Sequence, residues 1–411
     1  MIKNYRNSSN LTIVFRVALL TLSASFINVM YSGIRNNYGI MLNSIVDSAG
    51  ISFASVSFVL AIGQLVFGLV QPMFGMLGAK RGNIYVFISG VVLTTGGMLL
   101  TPLCQSAFSL LFCLGIILPA GTGAISYGVI MGIITPKIPV ASASFVAGVV
   151  NASYGIGNSV LSPLINALIR TGGLMHSMLV LSVPMLLTLP VALLLEKAPK
   201  RQDVIDTEAT AQQQPAAVNV KELFRKAVKN RNYIFLMMGF FTCGFHMALI
   251  SNHLPTQIQS FGFSSETAAY AFSIYGIVTM CGSLLSGSLC GKFKKKNVLG
   301  FYFGLRPLTI LLFLLMPKTL LNITIFTALF GFSGVATVPP VIGIISKTFG
   351  AANIATLYGL VFVVHQVGGF FGAWLGGVCF AMTGSYTGIW IAGIILSASA
   401  SCVSFAIKET Q

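Results

Sequence analysis

Apolar residues in this chain do not alternate, as on a half-buried strand, or recur at helical spacing, as on a surface helix. They run on without interruption. A bilayer core takes about 20 consecutive apolar residues of helix. Twelve stretches qualify: 14–38, 51–74, 84–103, 107–133, 141–169, 175–195, 232–257, 267–290, 297–316, 321–345, 353–381 and 385–407. Most of the breaks between them are short. Residues 196–231 are the exception, polar and charged from Glu196 through Gln212-Gln213-Gln214-Pro215 to Arg231, which is a linker composition. The pattern predicts an all-α membrane protein of twelve transmembrane helices. It divides into an N-terminal six-helix bundle over 1–195, a linker over 196–231 and a C-terminal six-helix bundle over 232–411.

Composition leads the same way. Of 411 residues, 55% are hydrophobic and 8% charged, whereas a soluble domain carries about 25% charged residues. A soluble enzyme, a nucleic-acid binder and a secreted disulfide scaffold are therefore not expected. The formal charge of +16 would suggest nucleic acid on a soluble chain. Here position explains it. With the N-terminus on the cytoplasmic side, 20 of the 24 lysines and arginines fall on that side. Arg170 and Lys318 fall opposite, and Arg35 and Arg306 lie within spans. This asymmetry follows the positive-inside rule and places both termini in the cytoplasm. The basic N-terminus (Lys3, Arg6, Arg16) leads into an apolar run with no small-residue cleavage site after it, so we expect an uncleaved first span.

The two halves echo each other. Gly75-Met-Leu-Gly-Ala-Lys80-Arg81-Gly82 follows the second span, and Gly287-Ser-Leu-Cys-Gly-Lys292-Phe-Lys294 follows the eighth. Duplicated halves point to a secondary transporter with its site near the midplane. Gly75, Lys80, Arg81, Gly82, Gly287 and Lys292 are then candidate conformational-switch positions.

With those turns in view, the chain resembles the major facilitator superfamily. It departs from that superfamily's signature at the usual Asp, where Ala79 and Gly291 stand. Three segments resemble the monocarboxylate transporter family and its oxalate–formate antiporter-like bacterial branch. They are Gly33-Ile-Arg35-Asn-Asn-Tyr38-Gly39, Gly148-Val-Val-Asn151-Ala-Ser-Tyr154-Gly155 through Ser162-Pro163, and Gly359–Gly377 with His365-Gln366, followed by Thr383-Gly384-Ser385-Tyr386. The resemblance implies two six-helix halves that rock about a central cavity, lined in part by the first and seventh spans. It also implies carriage of a mono- or dicarboxylate. An Asp and an Arg of that family's eighth span, linked there to proton coupling, are replaced by Thr279 and Ser283.

All eight acidic residues (Asp47, Glu196, Asp203, Asp206, Glu208, Glu222, Glu266, Glu409) lie outside the apolar runs or at their ends. A membrane carboxylate relay is thus excluded. Arg35 is expected near the outer end of the first span, roughly 28 Å beyond Arg16 at 1.5 Å per residue. It either snorkels to the interface or, with Tyr31 and Tyr38 on the same face, clamps a carboxylate. Arg306 either caps a neighbouring helix end or reaches the cavity. Asn151, Tyr154 and Asn158 share a face and either line the substrate path or join helices. His246, His253 and His365 are packing residues or, for His246 and His365, proton carriers.

The seven cysteines show neither CxxC pairing nor metal spacing and read as small packing residues. No Gly-Lys-Ser/Thr loop serves ATP and no nucleophile–base set appears, so no enzyme activity, cofactor or metal is expected. The substrate-binding candidates are Arg35, Tyr31, Asn151, Tyr154, His246, His365 and Arg306. The expectation is a monomeric secondary transporter of a small organic anion, in a bacterial inner (plasma) membrane. It would work by proton symport or anion exchange, with no nucleic-acid partner. Drug or natural-product efflux by the same fold is the alternative, and a receptor role is the least favoured.

Overall fold

The computed structural model describes residues 2–199, 220–350 and 353–409. Most of the expected linker lies outside them. The described residues form helices and turns, with no strand, as a chain in hydrocarbon must to satisfy its backbone polar groups internally. Eleven helices are long and apolar enough to cross a bilayer. One, Phe145–Lys197, has 53 residues and would be about 80 Å long if straight. It is not straight: Gly173, at φ 72° and ψ −170°, breaks it. The Lys137 ammonium donates to the carbonyls of Leu195 (2.6 Å) and Glu196 (2.8 Å), so the chain returns to the end from which it left. The segment is a helical hairpin, and the passages number twelve.

We number the spans 1 to 12: Val14–Asn36, Phe53–Gly78, Asn83–Leu103, Ala107–Lys137, the two arms of Phe145–Lys197, then Arg231–Ser260, Ser265–Lys292, Lys295–Leu315, Leu320–Phe349, Thr356–Thr383 and Thr387–Phe405. Helix ends carry local signals. Ser52, Ser264 and Thr319 accept backbone N–H groups at the starts of spans 2, 8 and 10. Gly384 ends span 11 in the left-handed conformation. Large apolar side chains such as Leu22, Phe112 and Leu308 remain exposed around the outside, which only lipid makes tolerable.

Span 1 runs on further than the sequence suggested. The first apolar stretch ends at residue 38, and Asn36 just before that end is buried and Asn37 fully so. Asn37 Nδ2 donates to the Gly33 carbonyl (2.5 Å), and its Oδ1 accepts the Ser162 hydroxyl (2.5 Å). The helix resumes over Tyr38–Ala49 and ends at left-handed Gly50. The expected position of Arg35 near the outer end is corrected by this extension. Arg35 lies at mid-depth, beside the middles of spans 2 and 11.

Spans 4 and 10, at equivalent places in the two halves, are also interrupted. Span 4 breaks at Ile125-Ser126 before resuming at Tyr127–Ile134. Span 10 breaks after Ser333 and resumes at Val338–Phe349.

Without a hydrophobic drive between helices in lipid, close approach depends on small residues. Spans 7 and 11 meet this way. A Cβ on Gly244 would lie 1.7 Å from the His365 carbonyl oxygen, and one on Gly368 would lie 1.9 Å from that of Phe241. Gly244→Val is therefore expected to destabilise the protein by about 1–3 kcal/mol, the range for overpacking. Thermal unfolding in detergent checks this, and an unchanged midpoint would refute the contact.

Candidate functional site

Arg35 leaves span 1 toward the centre of the molecule. One guanidinium nitrogen, Nη2, donates to Gln64 Oε1 of span 2 and, at 3.5 Å, to Gln366 Oε1 of span 11. Nη1 donates to Asn36 Oδ1 at 3.5 Å. The Phe67 ring lies under the guanidinium carbon, 3.8 Å from its centroid. Gln64 and Gln366 are buried, and Arg35 is half-buried. The cation is thus satisfied by neutral amides and a π face, from both halves of the molecule. Tyr31, Tyr38 and Tyr154 all lie within electrostatic range of it. The hydroxyl of buried Tyr38 and Nδ2 of buried Asn36 have no partner. A narrow cleft of about 10 Å³, room for about one water, lies here, lined by Arg35, Tyr38, Gly63, Gln64 and Thr122 together with Leu60, Leu114 and Pro119.

The other sequence candidates divide between this site and the body of the protein. Tyr31 is spent on the broken helix: its hydroxyl accepts the Tyr127 backbone N–H at 3.1 Å, where span 4 resumes. Tyr154 is half-buried on span 5, within electrostatic range of Arg35. Asn151 donates across the two halves to Ser283 Oγ of span 8 at 3.2 Å. Arg306 is fully buried in the C-terminal half, donating to the carbonyls of Ser333 (2.7 Å) and Gly334 (3.0 Å) at the break in span 10.

His246 is fully buried between spans 7, 10 and 12, its Nδ1 paired with the Thr242 carbonyl at 2.9 Å and its ring near Phe330. His253 is bonded to the Ala373 carbonyl at 2.7 Å. His365 is half-buried and stacked on Phe362, with Nδ1 unpartnered. Only Arg35, Tyr31 and Tyr154 are brought together at the centre. No motif in the sequence singles out Gln64, and Asn36 and Gln366 enter only as parts of quoted segments. Their signal was an amide within an apolar run, weaker than a charge.

Among the described residues, contacts between the halves gather toward the end away from the basic turns, and Phe67 and Phe362 (6.2 Å) still meet one turn on the other side of Arg35. Arg170 pairs with Glu266 at the end away from the basic turns. Next come the Ser159–Ser273 bonds, and then Arg35–Gln366 and Asn151–Ser283. Phe53–Phe380 (5.3 Å) and Phe58–Trp374 (5.9 Å) ring contacts add an aromatic seal. Gly155 and Gly276 meet so closely that a Cβ on either would lie within 2.5 Å of the other's carbonyl oxygen. Toward the basic end, Gly132 of span 4 and Gly359 of span 11 face open space. There Lys80, Arg81 and Lys292 are exposed with Gly75 and Gly287, and Gly82 turns the chain at φ 96°.

The profile of the Major Facilitator Superfamily matches residues 21–373 and again 257–411. The chain is 25% identical to monocarboxylate transporter 13 of Rattus norvegicus over 377 residues, covering 90% of this chain and 83% of that one. It is 29% identical over 182 residues to the uncharacterised MFS-type transporter YcxA of Bacillus subtilis (strain 168), a stretch covering 42% of this chain and 44% of YcxA. With the uncharacterised MFS-type transporter YhjX of Escherichia coli (strain K12) it shares 23% identity over 333 residues, 80% of this chain and 78% of that protein. Its fold is that of a solved D-xylose–proton symporter, with TM-score 0.74 at 14% identity over 97% of this chain and 98% of the other. The nucleoside transporter NupG gives 0.73 at 14% identity, over 95% of this chain and 100% of the other.

Removing the Gln64 amide leaves a half-buried guanidinium short of an acceptor. Gln64→Leu is expected to destabilise the protein by about 1–3 kcal/mol, read as a lower unfolding midpoint in detergent. An equal or higher midpoint would show that Arg35 does not depend on it.

Proposed function

The chain belongs to the Major Facilitator Superfamily, and we propose that it carries a small organic anion, a mono- or dicarboxylate, by alternating access. One observation carries this reading. The centre of the molecule holds a guanidinium at mid-depth, bridging both halves, with neutral amides as its only partners. A carboxylate offers what those amides cannot, a charge-matched bidentate acceptor. Entering the cleft, it would displace the long Gln366 and Asn36 contacts and take the unpartnered Tyr38 hydroxyl and Asn36 amide as further donors. Because Gln366 belongs to span 11 and Arg35 to span 1, occupancy at this point bears on the contact between the halves. Tyr154 of span 5 lies within electrostatic range of the guanidinium.

Supporting this reading, all eight acids of the chain lie outside the membrane interior or at its edge. The interior field therefore favours anions. A cation substrate would meet Arg35 with no counter-charge. His365, half-buried with a free ring nitrogen, is better placed than His246 to meet a proton or a second substrate oxygen. The basic end faces the cytoplasm by the positive-inside rule, so this conformation opens inward. Relatives in Bacillus subtilis and Escherichia coli support a bacterial inner membrane.

A ligand-dependent thermal-shift screen tests the substrate class, since binding to the folded state raises apparent stability. Acetate, lactate, oxalate and succinate are set against neutral sugars, amino acids and lipophilic drugs. At least one carboxylate is expected to stabilise the protein, and Arg35→Gln to weaken its binding by roughly 10- to 100-fold, the worth of a charged hydrogen bond. Stabilisation by bulky apolar compounds alone, unchanged in Arg35→Gln, would favour efflux instead.

A second test addresses movement. A Ser159→Cys/Ser273→Cys pair, joined across the seam by oxidation, is expected to abolish uptake of that carboxylate into proteoliposomes, with recovery on reduction. Undiminished uptake in the fully cross-linked protein would sink the rocking motion.

A further inference from the structure

We propose that the anion this protein carries is an aryl carboxylate, with its acid group on Arg35 and its flat ring on the aromatic face that span 11 presents between the halves. This deepens the organic-anion reading and rests on it. It begins with a mismatch of size. The cleft at the guanidinium has a volume of about 10 Å³, room for about one water. It admits the end of a carboxylate and little more, so the rest of a substrate held by Arg35 lies beside it.

What lies beside it is aromatic. Tyr358, Phe362 and His365 follow one another along span 11 at i, i+4 and i+7, on one helical face. Their rings form a ladder. Tyr358 and Phe362 are 6.3 Å apart at 28°, and Phe362 and His365 are 5.3 Å apart at 9°. Phe67 of span 2 joins this ladder to the anion site. Its ring centroid is 3.8 Å from the Arg35 guanidinium carbon, and it meets Phe362 edge-on at 6.2 Å and 64°. Phe240 of span 7 backs the ladder, edge-on to Tyr358 at 5.8 Å and to His365 at 5.7 Å. The rings therefore come from both halves of the molecule.

Aromatic rings that serve only as packing are covered on all sides, because protein interiors are close-packed. Here Phe67 and Phe240 are buried, but Tyr358, Phe362 and His365 are only half-buried. They line the gap between the halves. Phe362 packs against the N-terminal core across the seam, and Tyr358 lies within electrostatic range of Tyr31 and Tyr127 in the opposite half. Gly359, next to Tyr358 in the chain, faces open space toward the basic end. Half-covered rings beside one guanidinium have the makeup of a small-molecule site, apolar walls with a single orienting charge. An aryl ring laid on this face makes the same offset and edge-on contacts that these rings make with one another. Acetate leaves the face bare, and a dicarboxylate sets its second charge against it.

Isothermal titration calorimetry of the full chain in detergent tests this with four probes: phenylacetate, acetate, cyclohexylacetate and the neutral 2-phenylethanol. Phenylacetate is expected to bind roughly 10- to 150-fold more tightly than acetate, the effect of burying a ring of phenylalanine size. It should bind roughly 3- to 10-fold more tightly than cyclohexylacetate, which has similar bulk and no π face. Phe362→Leu should bring that second ratio toward one. A ratio taken within one protein does not change when part of the sample is misfolded. Phenylacetate binding no more tightly than cyclohexylacetate overturns the aryl assignment, and so does a preference that survives intact in Phe362→Leu. Acetate binding that weakens in Arg35→Gln leaves the anion reading standing in either case. Carboxylate binding that is absent, or unchanged in Arg35→Gln, overturns both, as does 2-phenylethanol binding as tightly as phenylacetate.

Discussion

Two guanidinium groups sit inside a membrane protein whose interior contains no carboxylate, and both are held by neutral groups. A buried cation left without partners is among the largest penalties a fold can carry. Much of the centre is arranged around avoiding it. Gln64 and Gln366 are buried amides with Arg35 between them, and Phe67 offers its π face. In the other half, the break in span 10 turns carbonyl oxygens toward Arg306. Neutral oxygens stabilise a cation without cancelling it. Arg35 therefore keeps its charge at the point where the halves meet.

The interrupted helices belong to the same arrangement. A break exposes backbone groups that lipid cannot satisfy, so each break needs a polar side chain. Tyr31 serves the resumed start of span 4, Asn37 the kink after span 1, and Arg306 the end of the first part of span 10. Spans 4 and 10 occupy equivalent places in the two halves, yet one is served by a neutral phenol and the other by a charge. That difference leaves a cation fully buried in the C-terminal half, while the N-terminal half presents its charge to the centre. The seam between the halves is built differently, from glycine contacts, serine bonds and aromatic rings. At the end away from the basic turns the Arg170–Glu266 ion pair adds a charge contact.

Length and hydropathy were enough to show a multi-pass helical membrane protein, because a bilayer demands about 20 apolar residues per crossing and few other environments tolerate them. The twelve passages were legible, and Gly173 falls between the apolar runs 141–169 and 175–195. Arg35 stood out for the same reason: a charge in an apolar run is rare enough to be noticed. Its depth was not legible. The first apolar run ends at residue 38, and only the bonds of Asn37 to the Gly33 carbonyl and the Ser162 hydroxyl, the latter 125 residues away, make that end an interior kink.

What tertiary structure alone decided was the direction of each polar side chain. Tyr31, Arg35 and Tyr38 share a helical face by spacing, yet Tyr31 is bound to span 4 and Arg35 spans the gap to Gln366, 331 residues further on. His246 and His365 read alike in sequence, and the fold buries one among three spans and leaves the other half-open beside Cys243. Hydrophobic length is a property of a segment and its solvent, so the sequence contains it in full. Satisfaction of a buried polar group is a property of two segments that meet only in space, and no local pattern specifies which partner will be there.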